Sequence, residues 1–263
     1  VRILLAAKHA PEGRRPIGGV QSWCRTIANE LRSRGHEAIT WGPEQPAPLG
    51  GFDFGIVANV GDTARAFEWC KKALVVSHGI IPAERPRPGL TTVFTSEEIR
   101  DHWGVEGEII RQPIDLDFWS PKVAFPIYLT RFSYRGGMGY VKPLARRLNL
   151  TYQHVRNLPD SKVIEILHQS KVVLATGRAA LEAMACDAPV VIVDHRAAYQ
   201  GPLMDPDIPG AMTRNYSGRG GIVPTPDNLK EAIDQAVRSG GLRSHVAAFH
   251  DAGDITDQLL EYS

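Results

Sequence analysis

Gly177, Arg178 and Glu182 are the residues of this chain whose types and spacing best suit chemistry. They lie in 176–194, TGRAALEAMACDAPVVIVD, where Gly177 and Arg178 run into a short apolar helix carrying one carboxylate, Glu182. The segment closes on a strand of β-branched residues, Pro189–Val193. The first turn of a helix has unpaired backbone N–H groups and the positive end of the helix dipole, so it suits phosphate. Glu182 stands four residues beyond Arg178, one turn along, on the face from which the ribose hydroxyls of a bound nucleotide can be reached. A buried turn accounts for Leu181, Ala183, Met184 and Ala185, but gives no reason for a glutamate among them. The plainer alternative is an ordinary core helix with an exposed Glu.

The elements that must position these residues follow from the rest of the chain. A length of 263 residues admits one large domain or two small ones, and 43% apolar residues supply their cores. The net charge of +1 selects neither nucleic acid nor membrane as a partner. No apolar run approaches the roughly 20 residues that span a bilayer, so no transmembrane segment is expected. The opening VRILLAAKH reads as a first strand rather than a signal peptide. Cys24, Cys70 and Cys186 are scattered and odd in number, which argues against a disulfide framework or a zinc site and for a reducing compartment. The expected location is the cytoplasm, or the host cytoplasm for a viral protein.

The other histidines (His9, His36, His102, His154, His168, His245, His250) form no short-range metal spacing, and no GxSxG or HExxH motif occurs. No metal site and no cofactor are expected. Charge is nevertheless uneven: between Asp117 and Asp160 no acid occurs, while Lys122, Arg131, Arg135, Lys142, Arg146, Arg147 and Arg156 do. Such a stretch faces an anion, faces solvent, or pairs with acids elsewhere in the fold.

Strands are expected at Arg2–Ala6, Ala38–Gly42, Asp53–Asn59, Ala73–Ser77, Thr91–Thr95 and Gly107–Arg111, most separated by helical or loop segments. Between the first two, Val20, Trp23, Cys24, Ile27, Ala28 and Leu31 recur at helical spacing up to a stop at Arg34-Gly35. The proline-rich stretch Gln112–Pro126 reads as a linker. A second alternation has strands at Ile127–Thr130, Leu150–Gln153, Lys171–Ala175 and Val190–Val193, then helices at Pro226–Ser239 and Leu242–Tyr262. The fold class expected is α/β, with two Rossmann-like doubly wound domains, 1–120 and 121–263, facing across a cleft. The last helix is a candidate to cross back to the N-terminal domain.

GRAALEAMACDAPVV (177–191) resembles the donor-binding segment of the family 4-like, GT-B-fold glycosyltransferases, where small residues start the helix and a Glu binds the nucleotide ribose. That family's usual motif has two glutamates; here the earlier position falls on Leu174 and only Glu182 is kept. Other segments agree in order. Gly18-Gly19-Val20 with RGHE (34–37), SHG (77–79), TSEEIRDHWG (95–104), QPIDLDFWSP (112–121) and TRFSYRGG (130–137) are each similar to family segments. NYSGR (215–219) resembles an Asn-Phe-Ser-Gly-Arg stretch of short bacterial and phage members.

The resemblance implies transfer of a sugar from a nucleotide-diphosphate donor to a hydroxyl acceptor, with retention and without an essential metal. It assigns donor binding to Gly18, Gly19, Gly177, Arg178, Ala179, Ala180, Leu181 and Glu182. Catalytic roles go to Arg131 and Arg135, just past a strand end, as cations for the leaving diphosphate, and to His78, against the donor sugar or acceptor. Plainer readings stay open: surface arginines, a flexible Gly-Gly turn outside any GxGxxG pattern, a structural histidine. Asn215, Ser217, Gly218 and Arg219 fit a cleft loop or an ordinary one. Asp194 and His195 end a strand toward the same cleft without an assigned role. The acceptor, whether a saccharide, a lipid-linked group or a nucleic acid, is left open. The alternatives are a nonhydrolysing nucleotide-sugar epimerase, a DNA-base glycosyltransferase, and a non-catalytic nucleotide-sugar or nucleic-acid binding module.

Overall fold

The computed structural model describes residues 1–12, 18–122, 124–133, 139–194 and 203–263. They divide into two compact units, Val1–Asp115 with His250–Ser263 and Leu116–Phe249.

In the first unit, β1 (Arg2–Ala6), β2 (Glu37–Trp41), β3 (Phe52–Ala58), β4 (Cys70–Ser77) and β5 (Thr92–Phe94) form one parallel sheet in the order β2-β1-β3-β4-β5. The central run RILLA is apolar on both faces because both are covered, as parallel sheets require. Ile3 and Leu5 pack with Trp23, Cys24, Ile27, Ala28 and Leu31 of α1 (Gly19–Ser33), while Leu4 and Ala6 join Trp41, Phe52, Val57 and Val60 in a separate cluster. This is the period of two expected of a strand. Two short helices follow, α2 (Val60–Thr63) and α3 (Glu97–Trp103). The latter is capped by Ser96, whose hydroxyl accepts from Ile99 N at 3.4 Å. Gly107–Arg111, expected as a strand, is reduced to one bridge, Ile109 to Phe94. The reason is length: β5 has three residues and α3 begins at Glu97, so little ladder is left to pair.

The second unit holds β6 (Tyr128–Phe132), β7 (Thr151–Val155), β8 (Ser170–Ala175), β9 (Val190–Asp194) and β10 (Leu203–Asp205), in the order β10-β9-β8-β6-β7. All pairs are parallel except β10 with β9. The three residues of β10 are too few for a readable alternation, so this strand is not visible in the sequence. The helices are α4 (Val141–Arg147), α5 (Asp160–His168), α6 (Arg178–Ala185), α7 (Pro226–Ser239) and α8 (Arg243–His250). Leu129, Val172, Leu174, Val191 and Val193 pack against Val141 and Leu144 of α4 and Leu229 and Ile233 of α7. Of the acid-free basic run, Lys142, Arg146 and Arg147 on α4 are exposed, whereas Arg131 is buried.

The chain then returns to the first unit as α9 (Ala252–Leu260). The single helix expected over Leu242–Tyr262 is broken at Asp251, which leaves helical geometry at ψ 131°. Its carboxylate accepts from Gly253 N at 2.8 Å and Asp254 N at 3.3 Å, starting a new helix there. Ile255 and Leu259 join the α1 core cluster.

Counted along its own chain, each sheet has the same strand order, 2-1-3-4-5. In such a sheet the connections leave in opposite directions around the first strand. A crevice opens at the carboxyl ends of the first and third strands, which are β1 and β3 in one unit and β6 and β8 in the other. Leu259 is fully buried, so Leu259→Ala should destabilise the first unit by about 2–5 kcal/mol. Urea unfolding should show the transition of that unit moving to lower denaturant while that of the second stays in place.

Candidate functional site

At the crevice of the second unit, β8 ends at Ala175 and the chain turns through Gly177 (φ 56°) into α6. That positive φ favours glycine. The helical ladder begins with Ala180 N and Leu181 N donating to Gly177 O at 3.0 and 3.3 Å, so the amides that precede it define the helix mouth. Gly177 N itself donates to Tyr216 O at 2.8 Å. Among the donor-side residues read from the sequence, Ala180 and Leu181 are fully buried.

Arg178 and Glu182 form a buried ion pair one turn apart, Nε to Oε1 at 2.9 Å, with side chains 7% and 13% exposed. The plainer alternative of an exposed glutamate on a core helix is therefore not what the structure holds. A cation in the first turn opposes the helix dipole, and α6 carries no acid there. In this α6 resembles α1, α4 and α8, whereas α3, α5, α7 and α9 each carry an acidic residue in the first turn.

Arg131 lies inside β6, not past its end, opposite His154 of β7 and Leu174 of β8. It is 4% exposed, on the same sheet face as Leu129. Its charge reaches Tyr140 at the start of α4: burial raises the pKa of that phenol, and Arg131 partly offsets the rise. Arg135 and His195 lie outside the described residues.

The segment Asn215–Arg219 is tied to the same crevice. Asn215 and Tyr216 both have positive φ, 53° and 51°. For a tyrosine this is strained backbone, which costs on the order of 1–3 kcal/mol and persists only where its surroundings over-determine it. Those surroundings are burial of the ring and a 2.5 Å hydrogen bond between Tyr216 Oη and His245 Nε2 of α8. Gly218 packs against the end of β9: a Cβ there would stand 2.5 Å from Leu203 O and 2.9 Å from Asp194 N. Ser217 and Asp194 are buried, and Arg219 N donates to Ser217 Oγ at 3.3 Å.

In the first unit, Gly18 caps α1 with its N–H donating to Gln21 Oε1 at 3.1 Å, and Gly19 has open space around it. His78 follows β4 directly. Its ring stands edge-on to Trp23 at 5.1 Å, and its N–H donates to Glu84 Oε2 at 3.1 Å. Lys8, after β1, donates from its backbone to Asn59 Oδ1, after β3, at 3.2 Å. The sequence reading missed Glu84, Asn59, Tyr216 and His245. Asn59 is detectable as the residue that ends a strand, and Tyr216 as the centre of NYSGR, but the local sequence carries no signal for Glu84 or His245. Among the described residues, no group of three or more His, Cys, Asp and Glu side chains is arranged to hold a metal ion. No described helix is long and apolar enough to cross a membrane.

The sequence matches no family model and no curated protein. Solved structures do match. AviGT4, a glycosyltransferase involved in avilamycin A biosynthesis, aligns at TM-score 0.60 and 13% identity over 99% of this chain and 96% of that one. Sucrose-phosphate synthase from Thermosynechococcus elongatus aligns at 0.61 and 14%, over 99% and 97%. The fold is GT-B. CalG4, the calicheamicin glycosyltransferase, aligns at 0.51 and 11%, over 99% and 98%. At such identities the likeness carries the GT-B fold and not the chemistry of any one neighbour.

Within this GT-B chain the glycines differ in how much space they have. Gly218→Ala drives a methyl into backbone and should destabilise the second unit by about 1–3 kcal/mol. Gly19→Ala, in open space, should leave stability unchanged or slightly raised. Paired urea titrations check the contrast.

Proposed function

We propose that this protein is a glycosyltransferase that moves a hexose-like sugar from a nucleotide-diphosphate donor to a hydroxyl acceptor, with retention of configuration. The observation that carries the reading is the mouth of α6. It is a helix start at a switch-point crevice, free of acids in its first turn, with buried guanidinium groups on it and on the neighbouring strand. A helix built only for stability gains about 0.3–1 kcal/mol from an acid at that position. Here the negative charge is expected from the donor.

On this reading the diphosphate sits at the Gly177–Ala180 turn, beside Arg131, and Arg135 is proposed from the sequence as a second cation. Charge-assisted bonds to its oxygens contribute roughly 1.5–3 kcal/mol each. They matter most when the bond to the anomeric carbon breaks and charge grows on the leaving phosphate, because fixed cations need no reorganisation at that moment. Leu181 lines the turn from below, and Glu182, held in place by Arg178, accepts from the ribose hydroxyls. To the first unit by itself the reading assigns the Gly18–Gly19 helix start, where a bare backbone admits close approach, and His78 as a contact to the sugar or acceptor. Asn215, Ser217, Gly218 and Arg219 complete the donor side as the segment that braces α6 and β9. AviGT4 and CalG4, two proteins of similar fold, are glycosyltransferases.

The test is transfer and donor hydrolysis across a panel of UDP-, GDP- and ADP-sugars, after thermal-shift screening for the donor that stabilises the fold. Arg131→Ala should lower kcat by about 100-fold or more, the usual loss when one donor to developing charge is removed. Glu182→Ala should raise KM for the donor. Thermal unfolding of both variants verifies that they are folded. Full activity in both overturns the assignment, and interconversion of free nucleotide sugars without an acceptor identifies an epimerase instead.

A further inference from the structure

One buried carboxyl group has no part in the transfer chemistry above. Glu84, in the turn Pro82–Glu84 that follows β4, is 4% exposed. Its Oε1 accepts from Asn59 Nδ2, and its Oε2 accepts from the His78 N–H at 3.1 Å. Its carbonyl accepts from Ser77 Oγ at 3.0 Å. Asn59, in left-handed geometry at φ 53°, passes the linkage on: its Oδ1 accepts from Lys8 N at 3.2 Å. One side chain thus joins the residues that follow β1, β3 and β4, three neighbouring strands around the switch point of the first unit.

We propose that Glu84 is a positioning residue whose carboxylate locks these three strand ends together and fixes the backbone of His78. The inference rests on the reading of His78 as a substrate-facing residue, and the lock itself is testable apart from it. Both carboxylate oxygens face N–H donors, so only the ionised form accepts from both. The other charged or titratable groups around it are Asp62 of α2, the Lys8 ammonium 3.5 Å from Asp62, and the His78 ring. Burial, the largest influence, pushes the pKa of Glu84 up to about 7, the hydrogen bonds from His78 and Asn59 hold it down, and Asp62 raises it further. Above about pH 7 the lock is complete, and below it a protonated oxygen no longer accepts from an N–H. The sign for stability is the reverse. Between the unfolded value of 4.5 and about 7 the native state keeps a proton that the unfolded chain has released, so stability falls as pH rises through that window.

The experiment is amide hydrogen exchange of the full chain, read at His78 as a protection factor from pH 6 to 8, in the wild type and in Glu84→Gln. Wild-type protection should rise through about pH 7. Glu84→Gln, which offers one acceptor and cannot ionise, should stay low and flat, and KM for one substrate should rise about tenfold with kcat little changed. If Glu84→Gln does not fold, the wild-type profile decides alone. A flat wild-type profile overturns the lock, as does equal protection in the two proteins at pH 8. Lost protection in Glu84→Gln, with a wild type that transfers no sugar from any donor, supports the lock and overturns the transferase reading.

Discussion

The constraint on which the molecule depends is the reversal of direction around the first strand of each parallel sheet. Parallel neighbours need crossovers, and crossovers of one hand force the connections on either side of β1, and of β6, onto opposite faces. No helix can then cover the carboxyl ends of β1 and β3, or of β6 and β8. The backbone turns that follow those ends are therefore not capped by a crossing helix. Arg131, Gly177 and Arg178 sit at one such place, and Lys8 and Asn59 at the other, with His78 following the neighbouring strand β4. On the proposed reading these are the residues that topology leaves to meet a ligand.

Electrostatics sharpens the selection in the second unit. Arg131, Arg178, Glu182 and Asp194 are ionisable side chains held almost entirely out of water within the last residues of β6 and β9 and the first turns of α6. Withdrawing an ion from water costs several kcal/mol even after relaxation, and well-packed apolar residues of similar volume are commonly as stable or more so. The core beside them follows that preference, with Leu129, Val172, Leu174, Val191 and Val193. In the proposed function the buried charges at the ends of β6 and β9 and on α6 serve the donor rather than the stability of the sheet. The arginine at the mouth of α6 opposes the dipole of the helix that carries it, as Arg243 does at the start of α8.

How much of this was legible beforehand depends on the range of the interaction. All strands of the two sheets except β10, and the buried stripe of α1, follow from periodicity, which is a local property, and Trp23, Cys24, Ile27, Ala28 and Leu31 are buried residues that it indicates. The opening of α6 was visible because a glycine, an arginine and one glutamate are set in an apolar run. Features made by long-range contact were not visible. Arg131 was read past its strand because a charge inside an apolar strand contradicts the local pattern, and only the neighbours β7 and β8 show that it is enclosed. Glu84 sits in a turn with no local signal of burial, and its carboxylate is bonded by Asn59, a distant residue in sequence. The break at Asp251 is set by Ile114, which pairs with it and accepts from Ala252 N at 3.1 Å.

The bracing of α6 shows how such long-range contacts act together. Tyr216 adopts a backbone conformation that bulky residues avoid, and in isolation it would relax. Its ring is enclosed and its hydroxyl is held by His245 of α8, so the strain stays in place and its carbonyl stays aimed at Gly177 N. Two residues on, Gly218 lets the same segment lie flat on Asp194 where a methyl group would push it away. One short stretch therefore fixes both the start of α6 and the end of β9. On the proposed reading, a helix mouth held this rigidly has its donors oriented before the donor's charge arrives, and such preorganisation, more than the number of donors, is what stabilises a developing negative charge.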